Sequence, residues 1–397
     1  MPSPPTSVTE LTQALVRIPS VNPDGDPGTA PENIGEAAIA TYIATFLQTA
    51  GATTFLDEVL PGRPNVIGHF PPPPPPPPPA PPPPTHPSPS GQPKPRVLFA
   101  PHTDTVSVAG MTIPPFGGDL HDGKLWGRGA SDTKGPMAAM LWALWTLRDQ
   151  IPHLPVEVHF VGFMSEESHQ YGSKHFAAHH PKYDLALVGE PTEMRVVHTH
   201  KGCLWIDVHT HGRAAHGARP ELGENAITKM AKLIHALDTD FRDLLADLSG
   251  PSEYLTPSTI NLGMIEGGSR YNIVADRCTL RLDIRVTPGL EAHGGAEHLL
   301  KEFIHRIDPT ATLSDAPPVH ALDTDPSNPL IQSLLATGTT LTGAPWFCDA
   351  VYLAAAGTPA IAIGPGSIAQ AHTKDEHIKI EDLESGTEFF QKYLTSL

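Results

Sequence analysis

Four short apolar runs set the strongest limit on what this chain can fold into. They are RVLFA at 96–100, VEVHFVGFM at 156–164, DLALVG at 184–189 and PAIAIG at 359–364. Each is short and nearly continuous. Strands of a sheet covered on both faces read this way, because both sets of side chains are buried. A helix is expected at 133–148, where Met137, Met140, Leu141, Leu144 and Leu147 recur at helical spacing. The expected class is therefore α/β, a mixed, mostly parallel sheet covered by helices. Further helices are expected at 9–17 and 35–51, and strands at 53–59 and 64–70.

From about 196 to 315 the texture changes. LWIDVHTHG alternates, and ENAITKMAKLIHAL reads as an amphipathic helix. PSTINLGMIEGG and CTLRLDIRV alternate again. LEAHGGAEHLLKEFIHRI reads as a second helix and TATLSDA as a last strand. The order β-α-β-β-α-β is that of a ferredoxin-like unit. The expected organisation is a catalytic domain from 1–195 and 316–397, with a ferredoxin-like α+β domain inserted at 196–315. A length of 397 residues suits two domains.

Residues 70–95 hold a proline-rich insertion, FPPPPPPPPPAPPPPTHPSPSGQPKP. It is expected as neither helix nor strand, since proline donates no N–H and fixes φ. Polyproline II is the expected form. The run separates two apolar strands, so it reads as an overgrown hairpin loop. Closure entropy grows slowly with length, so such a spacer costs little. Docking to a proline-recognition module is the alternative role.

Asp and Glu number 43 against 26 Lys and Arg, a formal charge of −17. That balance argues against nucleic acid or an anionic membrane as partner. Three cysteines with no CxxC pair fit a reducing compartment. The first residues show no basic n-region and no long apolar h-region, and no segment is long enough to span a bilayer. A cytoplasmic location is expected.

The residues that follow each apolar run carry the chemistry. His102 and Asp104 follow the first, Glu166 and Glu167 the second, and Glu190 the third. His372 lies eight residues past Gly364, and Asp132 stands just before the helix at 133–148. Alone, each has an ordinary reading. The glutamate pair could be solvated loop charge, Asp132 a helix cap, and Glu190 a turn residue. His102 with Asp104, and His372, could be surface. In open α/β sheets, however, ligands sit beyond the carboxyl ends of the strands, and all of these fall there. So many carboxylates cannot stay ionised together without a counter-charge. A divalent metal supplies it. Nitrogen and oxygen donors without cysteine suit zinc, with cobalt or manganese possible. Two imidazoles and three carboxylates exceed one tetrahedral ion, so two divalent metal ions with one bridging acid are expected. One of the paired glutamates can then bind metal while the other moves a proton. The histidines at 179–180, 198–200 and 209–211 read as structural or surface.

The motifs APHTDTV, WGRGASDTKGPMAAM, SEES, GEPT and GPGSIAQAHTKDEHI resemble those of the di-zinc amidohydrolases and peptidases. That family includes acetylornithine deacetylase, succinyl-diaminopimelate desuccinylase, aminoacylase and carboxypeptidase G. The resemblance spans nearly the whole chain apart from the proline segment. It implies that His102, Asp132 and Glu190 hold one metal, and that Asp132, Glu167 and His372 hold the other. Glu166 would be the general base and Asp104 the partner that orients His102. A cis peptide is implied at Asp132–Thr133. The inserted domain would be a lid and dimerisation domain, giving a homodimer. In it, His216 of GRAAHGARPELGENAI would stabilise the oxyanion, in its own or the partner subunit. Asn272 of SRYNIVAD and Arg285 of LDIRVTPG match substrate-carboxylate residues, and an Arg fork suits a carboxylate. Taken alone, His216 reads equally as a packed strand end and Arg285 as a strand-surface charge.

The implied function is hydrolysis of the amide of a small-molecule N-acyl amino acid. The nearest branch is that of acetylornithine deacetylase, in arginine biosynthesis. A desuccinylase, aminoacylase or metallocarboxypeptidase is the alternative within the class. A proline-rich scaffold on an inactive hydrolase fold is the alternative outside it. Asp349 after Cys348 departs from the family's usual Thr-acid pair and bears on side-chain specificity.

Overall fold

The computed structural model describes residues 5–24, 29–70 and 94–397. The form and docking role expected of the proline run lie outside the described residues. The chain divides into two compact units. One comprises 1–198, 324–341 and 348–397, and the other 199–323 and 342–347.

The sheet of the first unit runs in the order Thr53–Leu60, Arg63–His69, Glu157–Gly162, Arg96–Phe99, Leu185–Val188, Ala360–Ala362, Val196–His200. The pairs from Glu157–Gly162 through Ala360–Ala362 are parallel. Pairs at the margins are antiparallel. Val97, Leu98, Phe99, Leu185, Ala186 and Leu187 are all fully buried, as strands covered on both faces require. The helix Lys134–Leu147 buries Met137, Met140, Leu141 and Leu144 completely. At roughly 1.5–3 kcal/mol per large apolar side chain, that packing anchors the turn carrying Asp132. The C-terminal helix Ile380–Ser396 packs on the same core, with the rings of Phe390 and Phe99 5.3 Å apart.

The hairpin reading of the proline segment is wrong. Arg63–His69 and Arg96–Phe99 are not neighbours, because Glu157–Gly162 lies between them. Arg63–His69 already pairs with Thr53–Leu60 on its other side. Its second edge goes antiparallel to Glu157–Gly162, which in turn runs parallel to Arg96–Phe99. The insertion thus joins two strands separated by a third.

The second unit has a four-stranded antiparallel sheet in the order Thr259–Gly267, Arg277–Val286, Gly202–His211, Thr312–Leu313. Leu204, Ile206, Val208, Leu280, Leu282 and Ile284 face Met230, Leu233, Leu300 and Ile304 of its helices in one core. This is the ferredoxin-like arrangement. Its second long helix starts later than the sequence suggests, at Ala296, because Gly294 and Gly295 take φ of +93° and +84°. A small antiparallel sheet of Asp119–His121, Lys124–Trp126 and His377–Lys379 was not foreseen. No helix among the described residues is long and apolar enough to cross a membrane.

Candidate metal centre and active site

Parallel pairing points the carboxyl ends of four strands to one edge, and the chain continues there in short loops. Thr103 N–H donates to Phe163 C=O at 2.7 Å, so the loops bearing His102 and the glutamates begin as a continuation of the sheet. Asp132 lies at the centre. Its Oδ1 is 3.1 Å from His102 Nε2, and its Oδ2 is 3.3 Å from His372 Nε2. His372 Nε2 is also 3.1 Å from Glu167 Oε2. One donor atom each of His102, Asp132 and Glu167 lies within 4.8 Å of the others. The Asp132–Thr133 peptide is cis.

Asp104 is buried beneath this set. His102 Nδ1 lies 3.0 Å from its backbone oxygen and 3.5 Å from its Oδ1. Its carboxylate also accepts the backbone N–H groups of Glu166 at 2.9 Å and Glu167 at 3.1 Å, and the Asn22 amide at 2.8 Å. One acid therefore seats a histidine and both glutamates. Gln170 Nε2 donates to the Glu166 carbonyl at 2.8 Å. That fixes the backbone of Glu166 from a second side.

The electrostatics follow from burial and crowding. Burial opposes a charge on His102, but hydrogen bonds to Asp104 and Asp132 hold its pKa well above the ordinary value. Burial works against Asp132 too, yet His102 and His372 keep its carboxyl below the usual range. His372 is raised to about 10 by its hydrogen bonds to Asp132 and Glu167. Burial pushes Glu166 and Glu190 well up, and Glu167 to about 7. The set holds more acid than two imidazoles can neutralise, so without a cation its carboxylates share protons. Glu167 Oε1 and Glu190 Oε1 are buried without a partner. Orphaned carboxylate oxygens beside imidazole nitrogens fit a divalent cation, because it meets the lone pairs that no donor reaches.

In the second unit, His216 and Asn272 come together. Gly217 N–H donates to Asn272 C=O at 2.7 Å, and His216 bridges to Ile273. Both are exposed, and His216 Nδ1 accepts the Ala218 N–H at 3.0 Å. Arg285 stands on Arg277–Val286 with its fork on Asp283, at 2.9 Å to each oxygen.

Two residues of the first unit, Asn22 and Glu376, were missed by sequence reasoning, and Asp349 was noted only for side-chain specificity. Asn22 and its contact with Asp104 had no signal. Asp349 is buried, and its Oδ1 accepts the Ser173 hydroxyl at 2.5 Å. Burial raises its pKa to about 7. Its signal was the departure from the family's Thr-acid pair, which pointed to specificity and not to a buried acid. Glu376 lies four residues past His372, inside a motif already singled out.

Known proteins resemble the chain. Peptidase family M20/M25/M40 matches this chain over residues 98–396. The chain belongs to that family. An acetylornithine deacetylase of Pectobacterium carotovorum subsp. carotovorum (strain PC1) is 31% identical over 315 residues, 77% of this chain and 81% of that protein. One of Pectobacterium atrosepticum is 33% identical over 299 residues, 72% and 76% of the two. Solved structures share the fold at low identity. The M20 family metallo-carboxypeptidase Sso-CP2 of Sulfolobus solfataricus has a TM-score of 0.73 at 17% identity, over 98% of this chain and 99% of that one. The YXEP protein of Bacillus subtilis, a dinuclear metal binding peptidase of the M20 family, has 0.68 at 12%, over 98% and 96%. This M20 chain is thus a hydrolase of a metal-dependent family, and its histidine–carboxylate cluster is where a metal fits.

Proposed function

We propose that this M20 chain hydrolyses the amide bond of a small N-acyl amino acid, with N-acetylornithine as its substrate and arginine biosynthesis as its setting. The observation that carries the reading is Asp132 shared between His102 and His372, above an acid that seats both glutamates. The names of the Pectobacterium relatives support the choice of substrate.

Two divalent ions, zinc by the donor chemistry with cobalt or manganese also suited, would be held by His102, Asp132 and Glu190 and by Asp132, Glu167 and His372; when bound they polarise the acyl carbonyl and acidify water. The chain's residues do the rest. Glu166 takes a proton from the attacking water and delivers it to the departing amine as the C–N bond breaks. Burial raises its proton affinity, which favours keeping the proton between the two transfers. Asp104 holds the Glu166 and Glu167 N–H groups, so the two side chains serve different roles from one turn. By the family resemblance, His216, in its own or the partner subunit, would stabilise the oxyanion, and Asn272 and Arg285 would hold the substrate carboxylate. Arg285 must exchange Asp283 for it.

The chain acts as a cytoplasmic homodimer joined through the second unit. Support comes from the edge strand Thr259–Gly267, where Met264 and Ile265 are more than half exposed. Such an apolar edge is normally covered.

The test is hydrolysis of N-acetyl-L-ornithine, N-succinyl-diaminopimelate and a neutral N-acetyl amino acid, each with and without chelator. Chelator-sensitive turnover of the first is expected. Turnover of another alone would keep the chemistry and move the substrate. Failure on all three with metal bound would sink the reading.

A further inference from the structure

Glu376 is fully buried, and its carboxylate collects four donors. Oε2 accepts Arg128 Nη1 at 2.6 Å and the Gly129 N–H at 3.1 Å. Oε1 accepts the Ser131 N–H at 2.9 Å and the Asp132 N–H at 3.0 Å. Three of the four are backbone groups of the turn that ends in Asp132. The Glu376 carbonyl accepts the Gly127 N–H at 3.0 Å, so main chain and side chain both hold that turn. Arg128 is itself buried and is steadied by the Ser107 carbonyl at 3.1 Å.

Position along the chain gives this clamp its meaning. Glu376 is four residues beyond His372, and His377–Lys379 pairs with Lys124–Trp126 just before the turn. His372 sits on a loop at φ +62°, with its side chain 55% exposed. Little packing holds it. The distance from His372 to Asp132 is therefore set through the chain that Glu376 anchors.

We propose that Glu376 is a positioning residue, which locks Asp132 and His372 into one frame by binding the backbone of the Gly129–Asp132 turn on a carboxylate carried by the His372 segment. The proposal rests on the reading of Asp132 and His372 as metal ligands. With two donors on each oxygen, the geometry demands two acceptor oxygens here. An amide has one oxygen, so Gln at 376 turns an NH₂ toward two donors, whichever way it is placed. The turn must then shift or Arg128 must lose its partner. Aspartate keeps both acceptors but falls one methylene short.

The test uses full-length protein stripped of metal and titrated with Co²⁺, followed by calorimetry and visible absorption. E376Q, folded by circular dichroism, is expected to bind Co²⁺ about 10–100-fold more weakly, the usual cost of losing a residue that orients a ligand. Its absorption bands should change shape, and E376D should recover part of the affinity. A role in folding alone would lower Tm without moving Co²⁺ affinity. Folded E376Q with wild-type affinity and spectrum would therefore overturn the proposal. If E376Q does not fold, E376D carries the same comparison, with wild-type affinity and spectrum again decisive against it. D132A separates the two failures. If it loses Co²⁺ while E376Q and E376D do not, only the Glu376 role falls. If it keeps wild-type affinity, the ligand reading fails and the proposal with it.

Discussion

His102 and His372 both lie within 3.3 Å of the same aspartate, yet the protein supports them very differently. The His102 side chain is 1% exposed, and its second nitrogen is fixed by Asp104. The His372 side chain is 55% exposed, on a loop whose left-handed backbone costs a non-glycine residue roughly 1–2 kcal/mol. One imidazole is held by packing and hydrogen bonds at its own ring. The other meets Asp132 and Glu167 through Nε2, and its backbone is positioned through the segment that ends in Glu376. Equal ligand contacts do not make equal sites, because the cost of misplacing a ligand is set by what surrounds it. A cation on the His102 side should be tight and slow to leave. One on the His372 side should be weaker and quicker to exchange.

The largest effect should come from the residue the two sides share. Asp132→Ala is expected to strip both positions and drop turnover to the level of chelator-treated enzyme. Metal analysis alongside the assay checks it. A variant that kept one ion and a tenth of its activity would show that the sides do not depend on a common acid. Next is Glu166→Ala, which removes none of the proposed metal ligands. Bound metal should stay at the wild-type level while turnover falls about 10²–10⁴-fold, the usual worth of a positioned acid–base group. Unchanged turnover would remove Glu166 from the mechanism. A smaller effect, aimed at the asymmetry itself, is expected in metal stoichiometry. His372→Ala should retain about half of the bound metal, and limiting chelator should draw metal from the wild type in two steps. Loss in a single step would break the comparison.

Much of this was legible in the sequence, and the limits are physical. The apolar runs, and the His or acid that follows each, lie within a few residues of one another, so local pattern carries them. Parallel strands then bring their ends together without further instruction. Pairing partners are another matter. Arg63–His69 and Arg96–Phe99 look like neighbours until Glu157–Gly162, far later in the chain, comes between them. The supports of the site were hidden for the same reason. Asp104 reaches the glutamate N–H groups across 62 and 63 residues. Glu376 reaches the Asp132 turn across 244 to 248. A backbone N–H is the same at every residue but proline, so the contacts these carboxylates make to it leave no signature in the sequence.

The smallest effect concerns a half-buried histidine outside the cluster, which contrasts with His102 and its acids. His159 stacks on His69 at 4.3 Å and lies 2.9 Å from the Tyr183 hydroxyl. Burial, then the charges of His69 and Arg96, lower its pKa to about 3. The surroundings that raise the pKa of His102 are carboxylates, and those of His159 are cationic. The sign for stability follows. Below its ordinary value of 6.5, His159 takes up a proton in the unfolded chain but stays neutral when folded. The unfolded state then binds more protons, so stability falls as pH drops from about 6.5 toward 3. His159→Gln removes that titration. Between about pH 7.5 and pH 5, the variant should lose less stability than the wild type, by on the order of 1 kcal/mol. Thermal melts of both proteins at the two pH values check it. Parallel losses would mean that the folded protein takes up the proton on His159 after all, and that burial beside Arg96 does not hold the ring neutral.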